Sequence, residues 1–520
     1  MEKINLLFTS NENYEEWEKQ KSNWSQTIKD LNIDEIIVYL ERLNSDFPSE
    51  YLYKPCLNIN DANYRLSIME EILLDNELQL KLTNYSSDLK VLKQKLIEFR
   101  NEENQTQAQY RYLKIVCKYF SYVQGMYELL NNVKSEGLMS LHNYCVLMST
   151  DSKYVQLSKL AEKLLLDIEG MLANNILIND PANKILTLEK GEEDLNETEQ
   201  LKSIVYKIFD ITINNKYSIV DPAPFSNIEI KILNELITKN DSLFENLRLF
   251  YDEAIKLLSS IESFSSLYEQ IQFYLTYISF LKSLLKEKAS ITMPLFNDDK
   301  YIVEDCACVS LITKFLESEN SLDTVVTNKV DLPKGKMFLL SGPNQGGKTI
   351  YLKTVGQIAY LAKCGCFVTS KNCIVPFYDY IGTHFMQNEV LGKGRLIEEV
   401  ERIEKLLPII NENTLMLLNE SFTSTRRKDG VQIAVYYLKK LEESGCSVGF
   451  VSHYYEIPEI FNSDIIISLS SGIDKEGRRT YKVKEFSSNG MAYAKDIAYK
   501  CGMTYAQIRS EIEVLSDEDN

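Results

Sequence analysis

From the N-terminus to about residue 334 the apolar positions recur three and four apart, the spacing of amphipathic helices. After about 335 they gather instead into short unbroken runs separated by polar helical stretches. In the first region Leu89, Leu92, Leu96 and Phe99 share one helical face, with Ser86-Ser87-Asp88 ahead of them as a cap. Leu243, Leu247, Phe250, Ala254, Leu257 and Ile261 form a second stripe behind the capping-box pair Ser242 and Glu245. No proline or glycine occurs between about 238 and 288, which predicts long rods, and 271–285 is apolar on several sides, as a central packed helix would be. The later runs predict strands at Met337–Ser341, Cys366–Thr369, Tyr380–Phe385, Thr414–Asn419, Ser447–Ser452, Asp464–Leu469 and Thr480–Phe486, with helices after 347, 395, 428, 456 and 489.

Alternating strand and helix predicts a parallel sheet, with an antiparallel edge near the end. Glycine usage agrees, since four of the 20 glycines fall in 1–334 and the other sixteen follow. The expected fold class is therefore mixed: an N-terminal all-α region followed by a C-terminal α/β domain. The expected boundaries are 1–220 for a helical core-like region, 221–318 for long helices and 319–520 for the α/β domain. Two breaks interrupt the helical half: an acidic stretch at 180–200 and Val-Asp-Pro-Ala-Pro-Phe at 220–225.

Candidate chemistry sits at the first strand-to-helix turn of the second half. Gly342-Pro343-Asn344-Gln345-Gly346-Gly347-Lys348-Thr349 has phosphate-loop spacing between an apolar run and a helical pattern. Such glycines let backbone N–H groups turn inward on a polyphosphate, and the helix that follows points its positive end at the same anion. Lys348 would reach the terminal phosphates and the Thr349 hydroxyl would ligate Mg²⁺. A second apolar run ends in Asn419-Glu420, where nucleotide hydrolases of this architecture carry a metal-holding Asp and then a catalytic carboxylate. Glu420 is placed to be the base. Asn419 brings no charge, so it would meet Mg²⁺ through water, and turnover would be slow. His453 follows the run Val448–Ser452, in reach of a terminal phosphate.

Composition narrows the class. With 44% apolar and 25% charged residues, the 520-residue chain reads as an ordinary multidomain globular protein. No stretch approaches the roughly 20 apolar residues of a membrane helix, and no signal-peptide pattern opens it, so a cytoplasmic protein without a membrane partner is expected. Its 10 cysteines lack zinc spacing and its three histidines argue against a multi-histidine metal site. The net charge of −18 counts against tight, unassisted DNA binding, though not against a local basic patch.

Four segments in order, 342–349, Gly365–Val368, Asn419–Thr425 with Asp429-Gly430, and Ser452-His453-Tyr454-Tyr455-Glu456, resemble the ATPase domain of the MutS family of DNA mismatch-repair proteins. More weakly, Val326-Thr327-Asn328 resembles the segment beside the adenine, and 270–280 resembles a core helix. The resemblance implies an ABC-like P-loop ATPase domain after a helical core and lever region. It also implies ATP and Mg²⁺ as cofactors, a homodimer with nucleotides at its interface, and an ATP-gated clamp on duplex, mismatched or branched DNA, with a role in DNA damage. Glu420, Lys348 and His453 would be catalytic, and Asn328 would join 342–349 in holding nucleotide.

Departures matter as much. The first 120 residues hold no Phe-x-Glu wedge, which makes a short member without the mismatch-reading domain the expectation, and the nuclease-bearing branch is not matched. A typical Ser-Thr-Phe-x-x-Glu here reads Gly394-Arg395-Leu396-Ile397-Glu398-Glu399, so Gly394 and Arg395 would face the partner's nucleotide, with Arg395 as an arginine finger or simply an exposed helix start. A clamp insertion near 180–200 would be acidic. The alternative is a slowly hydrolysing, ATP-gated switch that engages an unidentified protein partner rather than DNA.

Overall fold

The computed structural model describes residues 4–20, 24–174, 237–238, 240–318, 321–386, 394–454, 456–461, 464–474 and 478–485. The chain divides into two compact units, one of Met1–Glu15 with Ser67–Ile278 and the other of Glu16–Leu66 with Ser279–Asn520.

The first unit is helical. Its centre is the helix Gln105–Leu129, which buries Tyr110, Tyr112, Leu113, Val116, Tyr119 and Val123, among others, and packs against Asn76–Arg100, Glu136–Thr150, Ser152–Asn174 and Asp241–Ala254. Leu89, Leu92, Leu96 and Phe99 are buried along one helix as expected, but that helix begins at Asn76. Asp75 is its cap, with Oδ1 accepting from the backbone N–H groups of Glu77 and Leu78. Ser86 and Ser87 lie mid-helix and return their hydroxyls to the carbonyls of Thr83 and Asn84. The expected rod over 238–288 is segmented into Asp241–Ala254, a 3₁₀ turn, Leu258–Ser265 and Leu267–Lys286. At the second break the Ser265 and Ser266 hydroxyls bond the carbonyls of Glu262 and Ser263, competing with the helical ladder. Within 271–285, Phe273, Tyr274, Tyr277 and Ile278 of this unit are buried, as are Phe280, Leu281 and Leu284, which are counted with the second unit. The breaks at 180–200 and 220–225 and the helix after 489 lie outside the described residues.

Among the described residues the second unit holds ten strands in two sheets. β1 (Leu295–Phe296), β2 (Lys300–Cys306), β3 (Asn328–Pro333) and β5 (Asn372–Val375) form one sheet in the order β1-β5-β2-β3. β4 (Met337–Ser341), β6 (Tyr380–Phe385), β7 (Thr414–Asn419), β8 (Ser447–Val451), β9 (Ile466–Ile473) and β10 (Arg479–Glu485) form the other, in the order β10-β9-β4-β8-β7-β6. All neighbours in this larger sheet are parallel except β10 on β9. Fully buried runs such as Met337–Leu340, Leu415–Leu418 and Ser447–Val451 are what a sheet covered on both faces requires. The expected strand at 366–369 does not form. Its residues are buried, yet only Val368 makes an isolated bridge, to Thr292, and the ladder begins at Asn372. The helix expected after 456 is a single 3₁₀ turn, Ile457–Glu459, around Pro458.

Short N-terminal helices belong to this same unit. Trp24 packs on Tyr360 and Tyr380, and Thr27 donates to the Ile381 carbonyl at 2.8 Å. The buried amide of Gln357 ties three segments together: Nε2 donates to the Leu31 carbonyl (2.7 Å) and Ser310 Oγ (2.8 Å), while Oε1 accepts from the Val309 N–H (2.8 Å).

Candidate functional site

β4 ends at Ser341 and the chain turns through 342–347 into the helix Lys348–Lys363, the strand-turn-helix order expected. The turn needs unusual backbone. Gly342 and Gly347 have φ of +135° and +86°, and Gln345, which is no glycine, has +59°. At Gly342 a Cβ would also stand 2.2 Å from Ser471 Oγ on β9, so only glycine fits under the neighbouring strand.

Lys348 is buried, and its Nζ donates to the carbonyls of Gly342 (3.0 Å) and Pro343 (3.1 Å). Burial lowers its pKa and the charge of Glu420 opposes that. One residue on, the Thr349 hydroxyl bonds Asn419 Oδ1 at 3.1 Å, which joins the turn to the end of β7. Parallel pairing sets Asn419 level with Val451 of β8, and the Glu420 N–H donates to the Val451 carbonyl at 2.9 Å. His453 follows β8, with Nε2 3.6 Å from Glu420 Oε1. The neighbouring imidazole, and then Lys348, hold the Glu420 carboxyl below the usual carboxylate range, so it is ionised at neutral pH.

The turn that presents Glu420 is strained and braced. Glu420 and Phe422 have φ of +52° and +64°. Glu399 Oε2 accepts from the Phe422 N–H at 2.6 Å, and Tyr454 donates to the Phe422 carbonyl at 2.8 Å. His384 sits 2.7 Å from Ser421 Oγ through Nδ1 and 2.9 Å from the Glu399 carbonyl through Nε2. A carbonyl only accepts, so Nε2 carries the proton, and the Ser421 hydroxyl is shared between Nδ1 and the His384 carbonyl (3.0 Å). His384, Phe422 and Tyr437 stack in a row, 5.5 and 5.4 Å between ring centres.

Gln345, Gly346, Gly347, Lys348, Thr349 and Glu420 therefore converge on one cavity of about 650 Å³, which Phe315, Val326, Asn328 and Tyr481 also line. Asn328 spends its amide elsewhere: Nδ2 donates to the Tyr481 carbonyl (3.1 Å) and Oδ1 accepts from the Val483 N–H (2.8 Å), clipping β10 in place. Gly394 caps the helix Arg395–Leu406, and Arg395 Nε lies 3.7 Å from Glu399 Oε1, so this pair touches the site through the brace of the 420–422 turn.

Three residues of β9 and β10 have no counterpart in the expected site. Arg479 Nη1 donates to Gln345 Oε1 at 2.8 Å. Tyr481 lines the cavity with φ of +55°, at the irregularity in the β9–β10 register. Ser471 is fully buried against Gly342 and Gly346. No motif flags them; the only signal is a pair of arginines in an otherwise unremarkable edge strand. Among the described residues the nine cysteines are free and mostly buried, and no helix is long and apolar enough to cross a membrane.

This α/β unit carries a glycine turn between a central strand of its larger sheet and a helix. Residues 338–495 match MutS domain V. The chain is 28% identical over 231 residues to the DNA mismatch repair protein MutS of Bacillus licheniformis, covering 44% of this chain and 25% of that protein. It is 28% identical over 258 residues to Endonuclease MutS2 of Lactobacillus gasseri, covering 47% and 31% respectively. With MutS of Borrelia hermsii the identity is 22% over 465 residues, 84% of this chain and 52% of that protein. Residues 338–495 thus carry the MutS family's domain V, and the chain spans between about a quarter and about half the length of these relatives.

Proposed function

We propose that the second unit is an ATPase domain and that ATP binding and hydrolysis gate a dimeric clamp on duplex, mismatched or branched DNA. The observation that carries the catalytic reading is that Lys348, Thr349 and Glu420 line one cavity at the glycine turn, with Asn419 bonded to Thr349 and His453 3.6 Å from Glu420 behind them. Lys348 would exchange the carbonyls of Gly342 and Pro343 for phosphate oxygens, and the turn's N–H groups would hold the rest. Glu420, ionised and fixed by its braced turn, would take the proton of the attacking water, with His453 holding the carboxylate's orientation. For the DNA part, the support is that two of these relatives are named DNA mismatch repair proteins.

Mg²⁺ fits the site poorly. The two oxygens available at the usual position, Thr349 Oγ1 and Asn419 Oδ1, are a hydroxyl and a neutral amide already bonded to each other.

Phosphate release, measured with and without DNA, tests the assignment. Glu420→Gln is expected to lower turnover about a hundredfold or more while ATP still binds; unchanged turnover would remove Glu420 from the mechanism. Homoduplex, mismatched and four-way-junction DNA, each with and without ATP, test the clamp, and a form that binds and alters the rate names the substrate. The net charge of −18 and Asn419 favour a second reading, a slow ATP-gated switch for a protein partner.

A further inference from the structure

A triphosphate entering the cavity would bring several negative charges with it. At the end of β7, where a carboxylate would both attract a divalent ion and, without one, repel the phosphates, stands the neutral amide of Asn419. The nearby carboxylate, Glu420, is engaged with His453. Among the described residues no group of three or more carboxylate, imidazole or thiol side chains could hold a metal ion.

Positive charge is supplied by the chain itself. Lys348 rises from the base of the turn. At its rim, exposed Arg479 is anchored by one N–H to Gln345, a residue of the turn itself, and a guanidinium carries five such donors in a planar fork suited to phosphate oxygens. The strand that carries it is fastened beside the turn. Asn328 bonds its backbone on either side of residue 482, and Lys482 Nζ donates to the Thr327 carbonyl at 2.5 Å.

We infer that this site holds the nucleotide's phosphates with two protein cations, Lys348 and Arg479, in place of a tightly bound divalent ion, so that ATP binds almost as well without Mg²⁺ as with it. The inference rests on the ATP reading above. It makes Arg479 a phosphate-binding residue and Asn419 the residue that removes the need for the metal in binding.

Equilibrium titration of the full chain with a fluorescent ATP analogue, mant-ATP, in Mg²⁺ and in EDTA tests it. The unaltered chain should show affinities within about threefold in the two buffers, whereas Asn419→Asp, which restores the repelling carboxylate, should lose about tenfold or more in EDTA. Arg479→Ala should weaken binding in EDTA by about tenfold and Arg479→Lys by less, because the charge remains while the fork is lost. A loss of tenfold or more by the unaltered chain in EDTA, or an Arg479→Ala chain that binds as before there, would overturn the inference and leave the ATP reading standing. No binding in either buffer, with Lys348→Ala indistinguishable, would overturn both.

Discussion

His384 shows how a single residue is made to serve the turn that carries Glu420. Burial, with Arg402 nearby, pushes its imidazole down to about 4 from an ordinary 6.5, so the folded protein holds it neutral between Ser421 and Glu399. Between those two values the unfolded chain binds a proton that the folded chain refuses. The residue's contribution is therefore complete above about pH 6.5 and lost as pH falls toward about 4. Glu399 and Asp30, whose pKa values burial raises, act in the opposite sense. The informative quantity is thus the difference in urea stability between the unaltered chain and His384→Gln. That difference should shrink by about 2–3 kcal/mol between pH 7 and pH 4.5; one that stays constant would mean the ring keeps its ordinary basicity. The placing of Lys348 and Thr349 at the glycine turn was legible because it follows a local spacing, and that of Glu420 because an apolar strand ends just before it. That of His384 and Glu399 was not, since they meet Ser421 and Phe422 only after β6, β7 and the helix Arg395–Leu406 pack.

At the scale of elements, β4, β6 and β7 begin and end where expected, because a strand buried on both faces shows almost no exposed position until the ladder stops, even where, as at Thr383 and His384 of β6, the buried side chain is polar. The same signal misled at 366–369, where Cys366, Phe367 and Val368 are buried without a ladder: an apolar run reports burial, and pairing is a separate matter. β2 and β3 carried no clear run, since charged Glu304, Asp305, Lys329 and Asp331 alternate with their buried positions. Helix packing supplies a sharp test. A Cβ on Gly356 would stand 2.4 Å from Leu31 and 2.7 Å from Leu417, so the helix after the glycine turn lies close against β7 only because this position is bare. Gly356→Ala should destabilise by about 1–3 kcal/mol as Leu31, Leu417 or the helix shifts. Gly170→Ala, in the helix Ser152–Asn174 with nothing within 4 Å, should instead be neutral or stabilising by up to about 1 kcal/mol. Urea melts of both variants check the pair, and equal effects would show that helix propensity alone decides.

For the whole molecule the long-range term is the charge of −18. It opposes the approach of a polyanion and of a second copy of the chain alike, and salt relieves that repulsion once separations exceed a Debye length of about 10 Å at 0.1 M. The two readings of function diverge at contact. If the chain closes on DNA, binding must run through a local set of Lys and Arg side chains that displace counterions from the phosphates, and such binding weakens steeply as salt rises. If ATP instead joins this chain to a second copy or to an acidic protein partner, salt screens the mutual repulsion and leaves short-range contacts intact. Raising NaCl from about 50 mM to about 200 mM should then strengthen ATP-dependent association, while DNA binding should fall by about tenfold or more over the same range. Sedimentation of the ATP-bound chain alone and with duplex DNA at both salts separates the cases. Association that grows with salt beside DNA binding that vanishes fits a clamp that dimerises and then grips phosphates. Association that grows while no DNA binds at the lower salt removes the DNA clamp and leaves the protein switch.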